Sequence, residues 1–231
     1  MSKAFIIGYD PGGDGAHGVA ILEVQKEHFH WTPVILQITT MKSLQDVITW
    51  LENSCCDGYI IAAGVDTLTE WNSGRCGWRP ADLWLRKMYP EAQNSVVSSN
   101  SIYGSMAVNG AAFLLLLAPR FQTDHTIITE THPKVCYFAL TGKKHIWKTN
   151  SRDMTAWLLK ELSLAGNTNI NDEHCFDAGM TVLSALCGLN QDWKLDLHAL
   201  PGNKKDGCVR FMKQTHFWWP LTNKGVRSIY D

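Results

Sequence analysis

Three apolar, β-rich runs of this chain each end in an acid: Asp10 after FIIGY, Asp66 after IIAAGV, and Glu130 after TIIT. Ends of neighbouring strands converge in space, so the three acids predict one carboxylate cluster. A late apolar segment adds His174 and Asp177, three residues apart and therefore on one helical face, with Glu173 four residues before Asp177. Carboxylates crowded in this way repel one another unless protonated or neutralised by cations. Two divalent ions about 3.5–4 Å apart are the usual means of exploiting such a cluster, activating water and stabilising the leaving oxygen of a phosphodiester. Oxygen ligands with one imidazole suit Mg²⁺ or Mn²⁺. The candidate catalytic residues are Asp10, Asp66, Glu130 and Asp177, and the candidate ligands for two ions are these four with His174.

Each residue also has a structural reading. Asp10 and Asp66 stand where turn formers stand. Glu130 is placed to favour the N-terminus of a helix beginning near Pro133. Asp172 suits the N-cap of the last helix, and His174 would then lie in its first turn.

Gly13, Gly15 and Gly18 formally match GxGxxG. A dinucleotide site needs those glycines to open a helix, with an acid about 20 residues further on. Here VAILEV follows, which is strand-like, and QITTM near residue 38 contains no acid. PGGDG therefore reads as a hairpin joining two antiparallel strands. Gly8, inside the first strand, marks a close approach of another backbone.

The elements that must position these residues follow from periodicity. Segments 4–10, 17–24 and 31–40 read as an antiparallel meander. Segment 43–53 reads as a helix with Ser43 and Asp46 forming a capping box. Residues 59–66 give a fourth strand, 106–118 a buried helix, and 126–130 a fifth strand. Pro133 suits the first turn of the next helix and Gly142 its stop. Two amphipathic helices follow over 151–163 and 172–189, then a loop and a strand near CVRFM. Residues 67–104 read as irregular, polar and tryptophan-rich.

The chain has 231 residues, 45% of them hydrophobic, enough to bury one sizeable core. Its formal net charge of -1 excludes a strong overall pull on nucleic acid or anionic lipid. Seven scattered cysteines show no zinc spacing and predict free thiols in a reducing, cytoplasmic setting. MSKAFII lacks a signal-peptide layout, and GAAFLLLLA is too short to cross a bilayer, so no membrane partner is expected.

The strand ending in GYDPG, the strand ending in Asp66 and the helix carrying HCFDA resemble the RNase H-like nuclease superfamily, and RuvC-type resolvases within it. The resemblance is strongest to the family of predicted RNase H-like nucleases. There a strand-1 Asp, a GVDTLTEW stretch, an E-x-HP motif and a final D-A helix recur together; here they are Asp10, residues 64–71, residues 130–133, and Asp177 with Ala178. The resemblance spans roughly residues 4–189. It implies an α/β fold with a five-stranded mixed sheet flanked by helices, in a single domain over 1–231 with an insertion at 67–104 and a C-terminal extension at 190–231. It implies that Asp10 bridges two metals, that Asp66 binds one and that Asp177 completes the other. His174 matches a position held by aspartate in some resolvases and histidine in others.

The expected function is a metal-dependent nuclease acting on DNA or RNA, with self-association into a homo-oligomer left open. Candidate backbone-binding groups are Arg75, Arg79, Arg86 and Lys87, then Lys143, Lys144, Lys148 and Arg152, then Lys204, Lys205 and Arg210, with Trp71, Trp78 and Trp84 available to stack on bases. Of these, Arg75, Arg79, Lys143 and Lys144 are the foremost. Two rival readings are an actin-like or sugar-kinase-like ATP-dependent phosphotransferase and a non-catalytic nucleic-acid-binding module on the same fold.

Overall fold

The computed structural model describes residues 2–13, 15–120, 126–164, 168–201, 208–210, 212 and 215–221. Strands β1 (Lys3–Asp10), β2 (His17–Glu27) and β3 (His30–Met41) form the antiparallel meander. Helix α1 (Leu44–Ser54) follows, its Ser43 hydroxyl accepting from the Asp46 amide as a helix cap. It leads to β4 (Gly58–Val65), which lies parallel to β1. Short strand β5 (Glu70–Asn72) and helices α2 (Pro80–Met88) and α3 (Gly104–Arg120) precede β6 (Ile127–Glu130), which is parallel to β4. Helices α4 (Pro133–Thr141), α5 (Trp147–Glu161) and α6 (Glu173–Leu189) come next. Strands β7 (Leu195–Asp196), β8 (Cys208–Arg210), β9 (Thr215–His216) and β10 (Trp218–Trp219) complete the described chain.

The central sheet is mixed, with order β3-β2-β1-β4-β6-β9 and helices on both faces. Alternation along β1 sends Ala4 and Ile6 to one core, with residues of α2 and α4 to α6, and Phe5, Ile7 and Tyr9 to a second core with residues of α1 and α3. The sheet has six strands where five were expected, because β9 pairs in parallel with β6.

One other expectation is corrected. Residues 67–104 are not irregular: they contain β5, α2 and two short 3₁₀ turns, and α2 buries Ala81 and Leu85 in the main core. Within the C-terminal extension expected at 190–231, Phe217 and Trp219 are buried in the same core. The CVRFM strand forms as β8 but pairs with β5, away from the central sheet. All seven cysteines are free thiols. Among the described residues, no helix is long and apolar enough to cross a membrane.

Candidate functional site

Among its described residues the β1–β2 connection contains no helix, and Gly15 takes a left-handed conformation with φ 83°, so the glycines make a turn. Three glycines instead shape the sheet surface beneath α6. A Cβ on Gly18 of β2 would collide with the His174 carbonyl, one on Gly8 of β1 with the Ala178 carbonyl, and one on Gly64 of β4 with the Thr181 carbonyl. These positions form a diagonal track across adjacent strands, and their missing side chains let the helix backbone rest on the sheet. The Thr181 hydroxyl accepts from the Tyr9 amide at 3.2 Å and fixes the register of helix on strand. Asp172 caps the helix by accepting from the Cys175 amide at 2.8 Å. Its first two turns therefore hang over the C-terminal ends of β1 and β4, where the acids lie.

Asp10 is the last residue of β1, and Asp66 follows the last residue of β4, its amide bonded to the Tyr9 carbonyl at 2.9 Å. His174 on α6 reaches down to Asp10, with Nδ1 2.7 Å from Oδ2. Burial pushes the Asp10 carboxyl up to about 6, with help from the Asp177 charge and opposition from His174. The same contact raises His174 to about 9, so near neutral pH its Nδ1–H donates to Asp10. Burial, then the charges of Asp10 and Asp177, hold Asp66 well above the usual carboxylate range. Asp10, Asp66, Asp177 and His174 thus share one site.

Asp177 is only 4% exposed and its Oδ1 lies 2.8 Å from His145 Nε2. His145 comes from the α4–α5 connection, which turns at Gly142 with φ 70°. Its ring is held edge-on by Tyr137 and Phe176. Its Nδ1 is buried without a hydrogen-bond partner, 3.7 Å from Glu173 Oε1. Among the described residues, His145, Glu173 and Asp177 form the group whose ligand atoms all come within 4.8 Å of one another. Asp10, Asp66 and Asp177 sense one another's charge but do not close to that spacing. Lys134, at the start of α4, binds Glu173 at 2.9 Å, and its charge also acts on Asp10 and Asp66. Although partial burial favours the neutral acid, Lys134 holds Glu173 below its ordinary value.

Glu130 does not join this site as a free ligand. It pairs across the sheet with Val65, which pairs with Tyr9, one residue short of Asp66 and Asp10 and out of phase with them in the pleat. Its carboxylate takes a two-pronged ion pair from Arg79, at 2.6 and 2.9 Å, and accepts from the Thr69 amide and hydroxyl at 2.9 and 3.1 Å. His198 Nε2 stands 3.5 Å away. Burial alone would raise Glu130, but the guanidinium and His198 outweigh it and hold the acid well below the usual range.

Arg79 is likewise corrected as a nucleic-acid contact. It is 2% exposed and shared between Glu130 and Asp82, so it faces no solvent. Arg86 is spent on the Gln93 and Val96 carbonyls and the Trp78 ring, and Trp78 and Trp84 pack against the core. Arg75, Lys143 and Lys144 are exposed. Arg210 pairs with Glu70 at 3.2 Å, whereas Lys204 and Lys205 lie outside the described residues.

Sequence reasoning missed His145 and Lys134. His145 lies 32 residues before its partner Asp177, in a loop, with no spacing signal. Lys134 directly follows the Glu130–Pro133 motif, which was the available clue. No protein-family model matches the chain, and no curated protein matches it.

Proposed function

We propose that this chain is a metal-dependent phosphodiesterase of RNase H-like fold that hydrolyses nucleic acid. The strand order, with an antiparallel meander extended in parallel by β4 and β6, and the acids at the ends of β1 and β4 and on α6 agree with the arrangement the resemblance implies. The observation that carries the reading is a gathering of buried and half-buried acids beside a donor set of metal-ligand spacing. Asp10 and Asp66 are destabilised as anions where they stand, and His145, Glu173 and Asp177 lie within reach of one cation.

The residues present fit divalent cations: oxygen donors dominate, one imidazole joins them, and the buried Nδ1 of His145 lacks a partner. Asp10, Asp66 and Asp177 would hold the ions, with His145 and Glu173 completing the shell of Asp177. When bound, such ions activate water and stabilise the departing oxygen of a phosphodiester. The protein itself fixes Asp10 through His174, orients Asp177 through His145, and sets Lys134 beside the acids to offset their charge near an incoming phosphate. The close seat of α6 on Gly8 and Gly64 keeps that geometry from loosening.

The test is a cleavage screen with Mn²⁺ and Mg²⁺ on single strands, duplexes, RNA–DNA hybrids and branched junctions. Cleavage that requires the metal and disappears in a folded Asp66→Asn variant is expected. Absence of cleavage on every substrate, or cleavage that survives in Asp66→Asn, overturns the reading.

A further inference from the structure

A metal-neutralised carboxylate site can accept the phosphate at which it acts, but the next phosphate along a backbone would meet only acids there. It needs a cation of its own. Beside the acids, between residues 91–95 and the α4–α5 connection, lies a cavity of about 220 Å³. Lys134 and Lys144 line it, together with Asn94, Ser95 and His145. His145 touches Asp177 from this wall and Lys134 touches Glu173, so two lining residues join the cavity to the carboxylate site. Lys144 has no ion-pair partner among the described residues. One acid, Glu91, also lines the cavity and is exposed; two lysines against it leave the lining net positive. The volume falls below the roughly 300–1,000 Å³ of small-molecule sites, so it suits a phosphate with part of a sugar and no whole nucleotide.

We propose that this cavity is an anion subsite that holds a second phosphate of the substrate, with Lys144 as its principal cation. The proposal rests on the phosphodiesterase reading for its substrate, but the anion site itself does not. Lys134 divides its charge between Glu173 and the cavity. Lys144 faces no competing acid at ion-pair distance among the described residues, and Asn94 and Ser95 supply uncharged polar groups. The insertion thus contributes to substrate binding through residues 94 and 95, while its buried arginine Arg79 serves the fold.

The experiment uses the full chain without divalent metal and titrates it with inorganic phosphate, followed by ³¹P NMR. Saturable binding is expected, weakened about tenfold or more in Lys144→Ala, the loss of one charge-assisted hydrogen bond. Lys160→Ala removes the same charge on α5, outside the cavity lining, and is expected to change binding by less than about twofold. No saturable binding, equal loss in both variants, or no loss in Lys144→Ala overturns the subsite. Where metal-dependent cleavage is observed, Lys144→Ala raises KM and leaves kcat within about twofold, because the lost contact is equal in ground and transition states. A fall in kcat at unchanged KM would overturn the assignment. Phosphate binding that depends on Lys144 in a protein that cleaves nothing would retain the subsite and defeat the phosphodiesterase reading alone.

Discussion

Two groups of buried and half-buried acids in this protein have opposite electrostatic states. Glu130 and Asp82 enclose Arg79, with every charge paired and Thr69 donating twice to Glu130. Asp10, Asp66 and Asp177 share only histidines and the partly committed Lys134. Burial acts on both groups in the same direction, so the guanidinium makes the difference: Glu130 ends well below its ordinary value, and Asp10 and Asp66 end above theirs. A carboxylate that carries its own counter-charge holds the fold together. One left short of positive charge stores a demand for a cation, and that demand marks a functional site.

The largest effect that would break this comparison is at Arg79. Arg79→Met leaves Glu130 and Asp82 buried and uncompensated, and is expected to destabilise the protein by about 3–5 kcal/mol. Chemical denaturation would measure it; a change below about 1 kcal/mol would mean that the pair contributes little. Asp66→Asn is expected to do the reverse. Removing a charge that the other acids repel should raise the melting temperature of the metal-free protein, by about 2–4 °C for each kcal/mol relieved. Metal-dependent cleavage should nevertheless disappear, because Asp66 is one of the residues proposed to hold the ions. A variant less stable and fully active would reverse the roles assigned to the two groups.

The pH dependence sharpens the contrast. The folded-state value of Asp10 is raised from 3.8 to about 6, so its contribution to stability is fully present below about pH 4 and is lost as pH rises through 6. Glu130 is depressed from 4.5, so its contribution is present above that value and is lost as pH falls. The Asp10 effect is on the order of 1–3 kcal/mol, since each tenfold change in proton affinity on folding is worth about 1.4 kcal/mol. Unfolding free energies between pH 3 and 7 should therefore decline less from 4 to 6 in Asp10→Asn, where Asp66 still contributes, and lose their acid decline below 4.5 in Glu130→Gln. Mn²⁺ should stabilise wild type at pH 7 and have less effect at pH 4, where Asp10 and Asp66 are protonated. Identical curves for both variants would remove the distinction.

Much of this contrast is legible in sequence, and the limit falls in a definite place. β1 and α6 are readable because apolar periodicity fixes them, and Asp10, Asp66, His174 and Asp177 follow as residues at the ends of such elements. Gly8 announces the close approach of α6, which Ala178 makes. Glu130 reads alongside the other acids because it too ends an apolar run. Its one-residue offset depends on the β4–β6 register, which residue types alone do not encode. Arg79 reads as a surface cation because its partners lie 3 and 51 residues away, and only folding brings both to it. His145 is invisible for the same reason. β9 and β10 have two residues each, too few to show a period.

The smallest test separates the two groups by which readout moves. Thr69→Val keeps the shape of the side chain but removes the hydroxyl, one of the two donors with which Thr69 meets Glu130 Oε2. A hydrogen bond to a buried charge is worth about 1.5–3 kcal/mol, and the remaining contacts with Arg79 should limit the loss to about 1 kcal/mol. Cleavage should be unchanged, because Glu130 is paired with Arg79 rather than turned toward the acids of the site. Lys134→Met is the counterpart on the other side. Its pair with Glu173 is between half-exposed groups, so stability should move by less than about 0.5 kcal/mol. Activity should fall all the same, since the acids lose one of their few neighbouring cations and an approaching phosphate meets more negative charge. Denaturation midpoints and steady-state rates on the two variants then form a crossed pair. If Thr69→Val lowers the rate as far as Lys134→Met does, Glu130 belongs with the acids at the site after all, and the division between structural and functional carboxylates has been drawn one strand too early.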